Sequence, residues 1–299
     1  MVTVQNAFDS FILSRQLADL SDKTISAYKQ FVTPFIAYLG SEKPLYDVLQ
    51  SDITSYISRL LNKPISKATR ATYIRHIKIF LRWCQSEYEV TYNAKAIKVP
   101  KSPKRSVRIY SDSEIEEIFQ SVGTGTEWLT LRNQCIIALM YDSGLRQSEV
   151  CDLKRSKISF ADNRMVVHGK GDKERIVPLG KLTQNYMRAY LAHCPYKSDN
   201  VFVNRMGDPL TCNAVKLFIT KLSNKLDFEF SSHKLRHNFA TNYCIDQYTY
   251  NGQVDIYRLM YLMGHEEIET TRRYLHFANE IMASRGCISH LDMVLLGKN

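Results

Sequence analysis

A chain of 299 residues, 44% hydrophobic and 23% charged, carries enough apolar material for two cored domains and lacks the composition of a disordered segment. Its net charge of +10 points to a polyanionic partner, and no apolar run approaches the roughly 20 residues a bilayer crossing needs, so the reading is a cytoplasmic protein with no membrane association. Seven scattered cysteines without a Cys-x-x-Cys pair argue against a zinc site or a dithiol redox centre and for reduced thiols.

In chain order, Phe8, Phe11, Ile12 and Leu17 make a first apolar segment. Residues 22–39 then repeat Ile25, Tyr28, Val32, Phe35, Ile36 and Leu39 at helical spacing, with Ser21 as cap and Gly40 as stop. A helix from about Asp52 turns Ile53, Ile57, Leu60 and Leu61 inward, and another from about Ser66 to Cys84 buries Ile74, Ile77, Leu81 and Cys84. These four segments read as a small helical bundle. On the last of them Lys67, Arg75, Lys78 and Arg82 form a basic stripe beside the apolar one, suited to lying along a phosphate backbone, although a solvated helix face has the same pattern. Next comes a basic, proline-interrupted stretch holding Lys101, Lys104, Arg105 and Arg108, which reads as an extended linker. Residues 1–110 contain 17 Lys and Arg against 8 Asp and Glu, whereas residues 111–299 contain 23 against 22. The electrostatic grip therefore belongs to the N-terminal third. The domain plan is a helical domain over 1–100, a linker over 101–110 and a second domain over 111–299.

That second domain opens with a Ser111/Glu114 helix start ahead of Ile115, Ile118 and Phe119. Arg132 to Tyr141 reads as a buried helix. Residues 157–160, 165–168 and 175–179 read as short strands, the last two joined by a glycine-rich turn holding Lys170, and the remainder as helix. The fold class is therefore mainly α with a small antiparallel sheet.

Gly144-Leu145-Arg146-Gln147-Ser148-Glu149, Gly169-Lys170-Gly171, His233-Lys234-Leu235-Arg236-His237, Gly264-His265 and Tyr274 stand in an order that resembles the signature of tyrosine site-specific recombinases, the group of Xer-type and phage-integrase-type enzymes. The resemblance covers most of residues 111–280. It implies an N-terminal SAM-like core-binding bundle, a catalytic domain with a C-terminal tail, and strand exchange on double-stranded DNA through a 3′-phosphotyrosine and a Holliday junction. Four protomers would act on two recombination sites, for integration or excision of a mobile element, Xer-like resolution, or inversion, with no metal and no cofactor.

Those residue types suit that chemistry. A phosphodiester repels nucleophiles by its charge, and the planar guanidiniums of Arg146 and Arg236 can orient two nonbridging oxygens and stabilise the charge that grows on them. Tyr274 is the nucleophile and His233 the base that takes its proton. A lysine of the glycine-rich turn, Lys170 or Lys173, suits the general acid for the departing 5′ oxygen, and the resemblance favours Lys170 because it occupies the Gly-Lys-Gly position; His265 donates to the phosphate, and Glu149 braces Arg146 from behind. His237 is left structural, beside Arg236 and so adjoining its site. Taken singly, each of these residues has an ordinary structural role open to it; the ordered set carries the reading. His233 and His237 stand four apart, but no His-Glu-x-x-His arrangement supports metal binding. A type IB topoisomerase-like nicking and resealing enzyme and a catalytically silent DNA-binding protein are the alternatives. The stretch 247–253 makes the Arg236 to His265 interval roughly six residues longer than the family's usual spacing, which is expected to lengthen a loop between helices. The apolar C-terminal tail is expected to pack on its own domain or dock into a neighbouring protomer.

Overall fold

The computed structural model describes residues 1–101, 108–169 and 173–285. The chain folds as two compact units, Met1–Arg105 and Ser106–Asn299.

The first unit is built from α1 (Val4–Leu17), α2 (Asp22–Leu39), α3 (Gln50–Leu61) and α4 (Lys67–Glu87). Ser21 and Ser66 cap α2 and α4 by accepting from the backbone of Thr24 and Thr69, and Gly40 ends α2 at a φ of 94°, so the boundaries follow the capping chemistry read from the sequence. Phe11, Phe35, Ile53, Ile74, Ile77 and Phe80 are fully buried where the helices meet. Two residues expected inside are not: Leu17 and Leu61, each the last residue of its helix, are 80% and 46% exposed, because a helix end has no neighbouring turn beyond it to cover the side chain.

In the second unit, Ser111 and Glu114 form the expected reciprocal cap of α5 (Asp112–Ser121). The buried α6 (Glu127–Asp142) starts five residues earlier than the apolar pattern suggests. Short α7 (Gln147–Asp152) leads into the antiparallel sheet β1 (Ile158–Ser159), β2 (Arg164–His168) and β3 (Glu174–Pro178), in the order β1-β2-β3 with Val166 opposite Ile176. Met165, Val167 and Val177 pack into the core formed around α6. There follow α8 (Lys181–His193), α9 (Cys212–Ser223), α10 (Ser232–Asn251), α11 (Ile256–Met263) and α12 (Ile268–Arg285). The last three enclose a smaller core of Phe239, Ala240, Cys244, Leu259, Leu262, Met263 and Ala278 that includes Tyr274.

The extra residues at 247–253 do not lengthen a loop. α10 runs unbroken to Asn251, where Gly252 in the left-handed region caps it, so most of the additional chain is helix and the connection to α11 stays short. Gln247-Tyr248-Thr249-Tyr250-Asn251 contains no helix breaker, and the first glycine after it is where the helix stops. Among the described residues no helix is long and apolar enough to cross a membrane.

Candidate active site

Short-range geometry sets Arg146 in place. Gly144 has a φ of 64° and lies so close to the Phe239 ring that a Cβ there would collide with it, so the turn between α6 and α7 can be made by glycine and by little else. Arg146 follows immediately before α7. Its backbone N–H donates to Glu149 Oε2 at 2.7 Å, its Nη1 to Glu149 Oε1 at 2.8 Å and its Nη2 to the Gly264 carbonyl at 2.9 Å, with a third of the side chain left in solvent. Arg236, in the second turn of α10, is almost wholly buried; it donates to the carbonyls of Gly144 and Met263 and stands 3.9 Å from Glu149 Oε2. Burial, then the neighbouring Arg146 charge, lowers its pKa to about 10. Glu149 is 3% exposed; burial favours its neutral form, but Arg175, Arg146 and Arg236 outweigh that and hold its pKa below the ordinary value.

Tyr274, on α12, is 3% exposed. Its hydroxyl and His237 Nδ1 share a hydrogen bond of 2.8 Å, its ring stacks against His265 at 6.2 Å and 12°, and the Arg273 guanidinium lies 5.4 Å from the ring centroid. Burial raises the phenol's pKa, partly opposed by the Arg273, Arg236 and Arg146 charges. The buried phenol is therefore held neutral. His237 and His265 are both pushed down to about 4, chiefly by burial and then by the surrounding arginines, so both are neutral near pH 7. His265 Nδ1 is engaged with Thr271 Oγ1 at 2.9 Å.

Arg146, Glu149, Arg236, His265 and Tyr274 thus come together at the ends of α7, α10, α11 and α12. His233 lies one turn before His237, exposed, its ring 6.1 Å from that of His237; the hydrogen bond to the phenol is made by His237, which the sequence reading left structural. The turn between β2 and β3 is closed by Gly169 N–H donating to the Lys173 carbonyl at 2.8 Å, and Lys173 is exposed, 3.8 Å from Glu266. Lys170 itself lies outside the described residues. Gly169, Lys173, Arg146, Gly264, His265 and Thr270 bound an open cleft of about 780 Å³.

Arg175 is the participant that sequence reasoning missed. In β3 it sits 5% exposed between Glu174 and Ile176, with Nη1 and Nη2 donating to the two oxygens of Glu149 at 2.7 and 2.9 Å. A signal was present: Val177 and Leu179 face inward, and the two-residue period of a strand puts Arg175 on the same side, leaving Ile176 46% exposed on the other.

Of the basic residues assigned to a phosphate backbone, Lys67, Arg75, Arg82 and Lys101 are exposed. Lys78 is half-buried and donates to the carbonyls of Ile97 at 2.6 Å and Lys95 at 3.3 Å, which ties the chain after α4 to the helix. Arg108 is exposed and paired with Glu114 at 2.5 Å. Lys104 and Arg105, and the apolar tail after residue 285, lie outside the described residues. Among the described residues there is no cluster of three or more His, Cys, Asp or Glu side chains placed to hold a metal ion.

The model of the phage integrase N-terminal SAM-like domain matches residues 8–88. Over 276 residues the chain is 28% identical to the tyrosine recombinase XerC of Listeria innocua, covering 88% of this chain and 90% of the relative. Its fold is similar to that of XerH site-specific recombinase bound to palindromic difH substrate in a post-cleavage complex (TM-score 0.72, 21% identity, 89% of this chain and 79% of that one). It is also similar to a lambda integrase dimer, residues 75–356, bound to a COC′ core site (TM-score 0.73, 19% identity, 92% and 95%). The model of the phage integrase family covers residues 108–280, the stretch that holds Arg146, Arg236, the Glu149 carboxylate between them and the buried Tyr274 phenol, and the chain is a member of that family.

Proposed function

We propose that this protein is a site-specific DNA recombinase that breaks and rejoins strands through a 3′-phosphotyrosine formed on Tyr274. The observation that carries the proposal is the meeting of Arg146, Arg236 and Tyr274 in one site with His265 stacked on the phenol. Double-stranded DNA is the substrate. The scissile phosphate is held by the two guanidiniums, which bind the doubly charged phosphorane better than the singly charged diester. His265, its Nδ1 occupied by Thr271, offers Nε2 to a phosphate oxygen. Lys170 protonates the departing 5′ oxygen; its neighbours Gly169 and Lys173 line the cleft beside Arg146, which supports that role. The phosphotyrosine keeps the energy of the broken bond, and a 5′ hydroxyl from a second duplex attacks it to exchange strands. Four protomers on two sites complete the reaction through a Holliday junction. Resolution, integration, excision or inversion then follows from how the two sites are arranged.

His237 holds a proton poorly, which suits it to tethering the phenol at rest, and His233 is assigned to taking the phenol's proton. The exposed Lys67, Arg75 and Arg82 and the linker residues Lys101, Lys104, Arg105 and Arg108 supply backbone contacts.

The test maps covalent cleavage on the DNA flanking the protein's own coding region, then uses a nicked suicide duplex built on the mapped position. Wild type is expected to trap as a protein–DNA adduct and to give products joined between two duplexes, while Tyr274→Phe binds the duplex and forms no adduct. An adduct on the phenylalanine variant would remove Tyr274 from the nucleophile's role; adducts without joined products would indicate a relaxing enzyme.

A further inference from the structure

The last turn of α11 ends in three consecutive carbonyls, and each accepts from a different arginine: Leu262 from Arg175 Nε at 2.8 Å, Met263 from Arg236, and Gly264 from Arg146 Nη2 at 2.9 Å. Helix C-termini leave such carbonyls without intrahelical partners and carry the negative end of the helix dipole, so three cations lined up there are favourably placed. The same three guanidiniums surround one carboxylate, Glu149. Of the three guanidiniums, that of Arg175 takes both oxygens, in the paired geometry that guanidinium and carboxylate make best, while Arg146 reaches the second oxygen through its backbone N–H.

Formal charge gives this arrangement its meaning. A carboxylate 2.8 Å from Arg146 and 3.9 Å from Arg236 would cancel one of the two charges offered to the phosphate. With Arg175 included, three guanidiniums and one carboxylate sum to +2, which matches the two negative charges of the phosphorane. We infer that Arg175 is a positioning residue of strand cleavage: by occupying both oxygens of Glu149 and anchoring to Leu262, it keeps Arg146 and Arg236 aligned and leaves their charge directed at the scissile phosphate. This rests on the recombinase reading above. With Nε on the Leu262 carbonyl and Nη1 and Nη2 on Glu149, Arg175 acts through that carboxylate.

The experiment compares wild type and Arg175→Met in single-turnover cleavage of two suicide duplexes that differ only at the scissile position, one a phosphodiester and the other a methylphosphonate, whose neutral centre needs one less unit of charge neutralisation. Loss of an outer partner that orients functional groups costs about 10- to 100-fold. Arg175→Met is expected to lose that much relative to wild type on the diester and about threefold or less on the methylphosphonate, with duplex binding retained. Equal losses on the two substrates, or a diester rate within about threefold of wild type, would overturn the inference. If the methionine variant does not fold, as judged by its melting transition, Arg175→Lys is put through the same pair under the same criterion. It keeps the cation but not the two parallel bonds, and a smaller selective loss is expected. Wild type that forms no adduct on either duplex would instead sink the recombinase reading and the inference with it.

Discussion

At the scale of single residues, the site divides into groups that the order of motifs announces and groups that only packing reveals. That Arg146, Arg236, His265 and Tyr274 meet in one place was legible because the chemistry proposed for them needs cations, hydrogen-bond donors and a nucleophile, residue types that stand out in short motifs. His237 was harder to read, since a histidine beside a buried arginine has many structural uses. Its position becomes intelligible on the helix: 237, 240 and 244 fall on one stripe of α10, and Ala240 and Cys244 pack with Tyr274 in the same small core. The two histidines of α10 can be separated by rate. His233→Ala is expected to slow adduct formation by about 100-fold, within the usual range for a general base. His237→Ala should cost less, because it releases a tether. A reversed order in single-turnover adduct formation would exchange the two roles.

At the scale of elements, boundaries set by caps were read well and those set by tertiary packing less well. Ser21, Ser66 and Ser111 each begin a helix where the hydroxyl pattern indicated, because capping is a local hydrogen bond. The early start of α6 depends on what lies across the interface, which no local pattern encodes, and the strand period that turns Arg175 of β3 inward does not say which carboxylate it meets there. Gly264 shows how demanding one element end can be. It ends α11 at a φ of 57°, and a Cβ there would come 3.0 Å from Arg175 Nη1 and 3.3 Å from Arg146 Nη1. Gly264→Ala is accordingly expected to lower stability by about 1–2 kcal/mol through the left-handed backbone alone. Because the guanidiniums must also shift, adduct formation should fall further than the loss of folded protein explains; a melting curve and a cleavage rate on the same preparation would check this.

At the scale of the whole molecule, the separation of charge is the feature most directly visible in composition, and its details emerge only in three dimensions. Arg75 and Arg82 project from α4 into solvent, whereas Lys78, on the same stripe, is engaged with the carbonyls of Lys95 and Ile97. The stripe therefore does not act as one surface. Replacing Arg75 and Arg82 by alanine should reduce the slope of log affinity against log salt by about 0.9 for each lost phosphate contact, while Lys78→Ala should leave the slope unchanged and lower the melting temperature of the N-terminal unit. Duplex-binding titrations over a salt series would distinguish the two outcomes.

The three adjoining carbonyls at the end of α11 have a consequence for how this chain can vary in length. Upstream, α10 has already absorbed additional residues before Gly252, and its exposed final turn leaves room for more or fewer. Between Ile256 and His265 no such latitude exists: inserting or deleting one amino acid would offer every guanidinium the wrong oxygen simultaneously. One-residue indels within the exposed stretch from Tyr248 to Gly252 should leave the rate of adduct formation on a suicide duplex near that of wild type, whereas one-residue indels within α11 should abolish it.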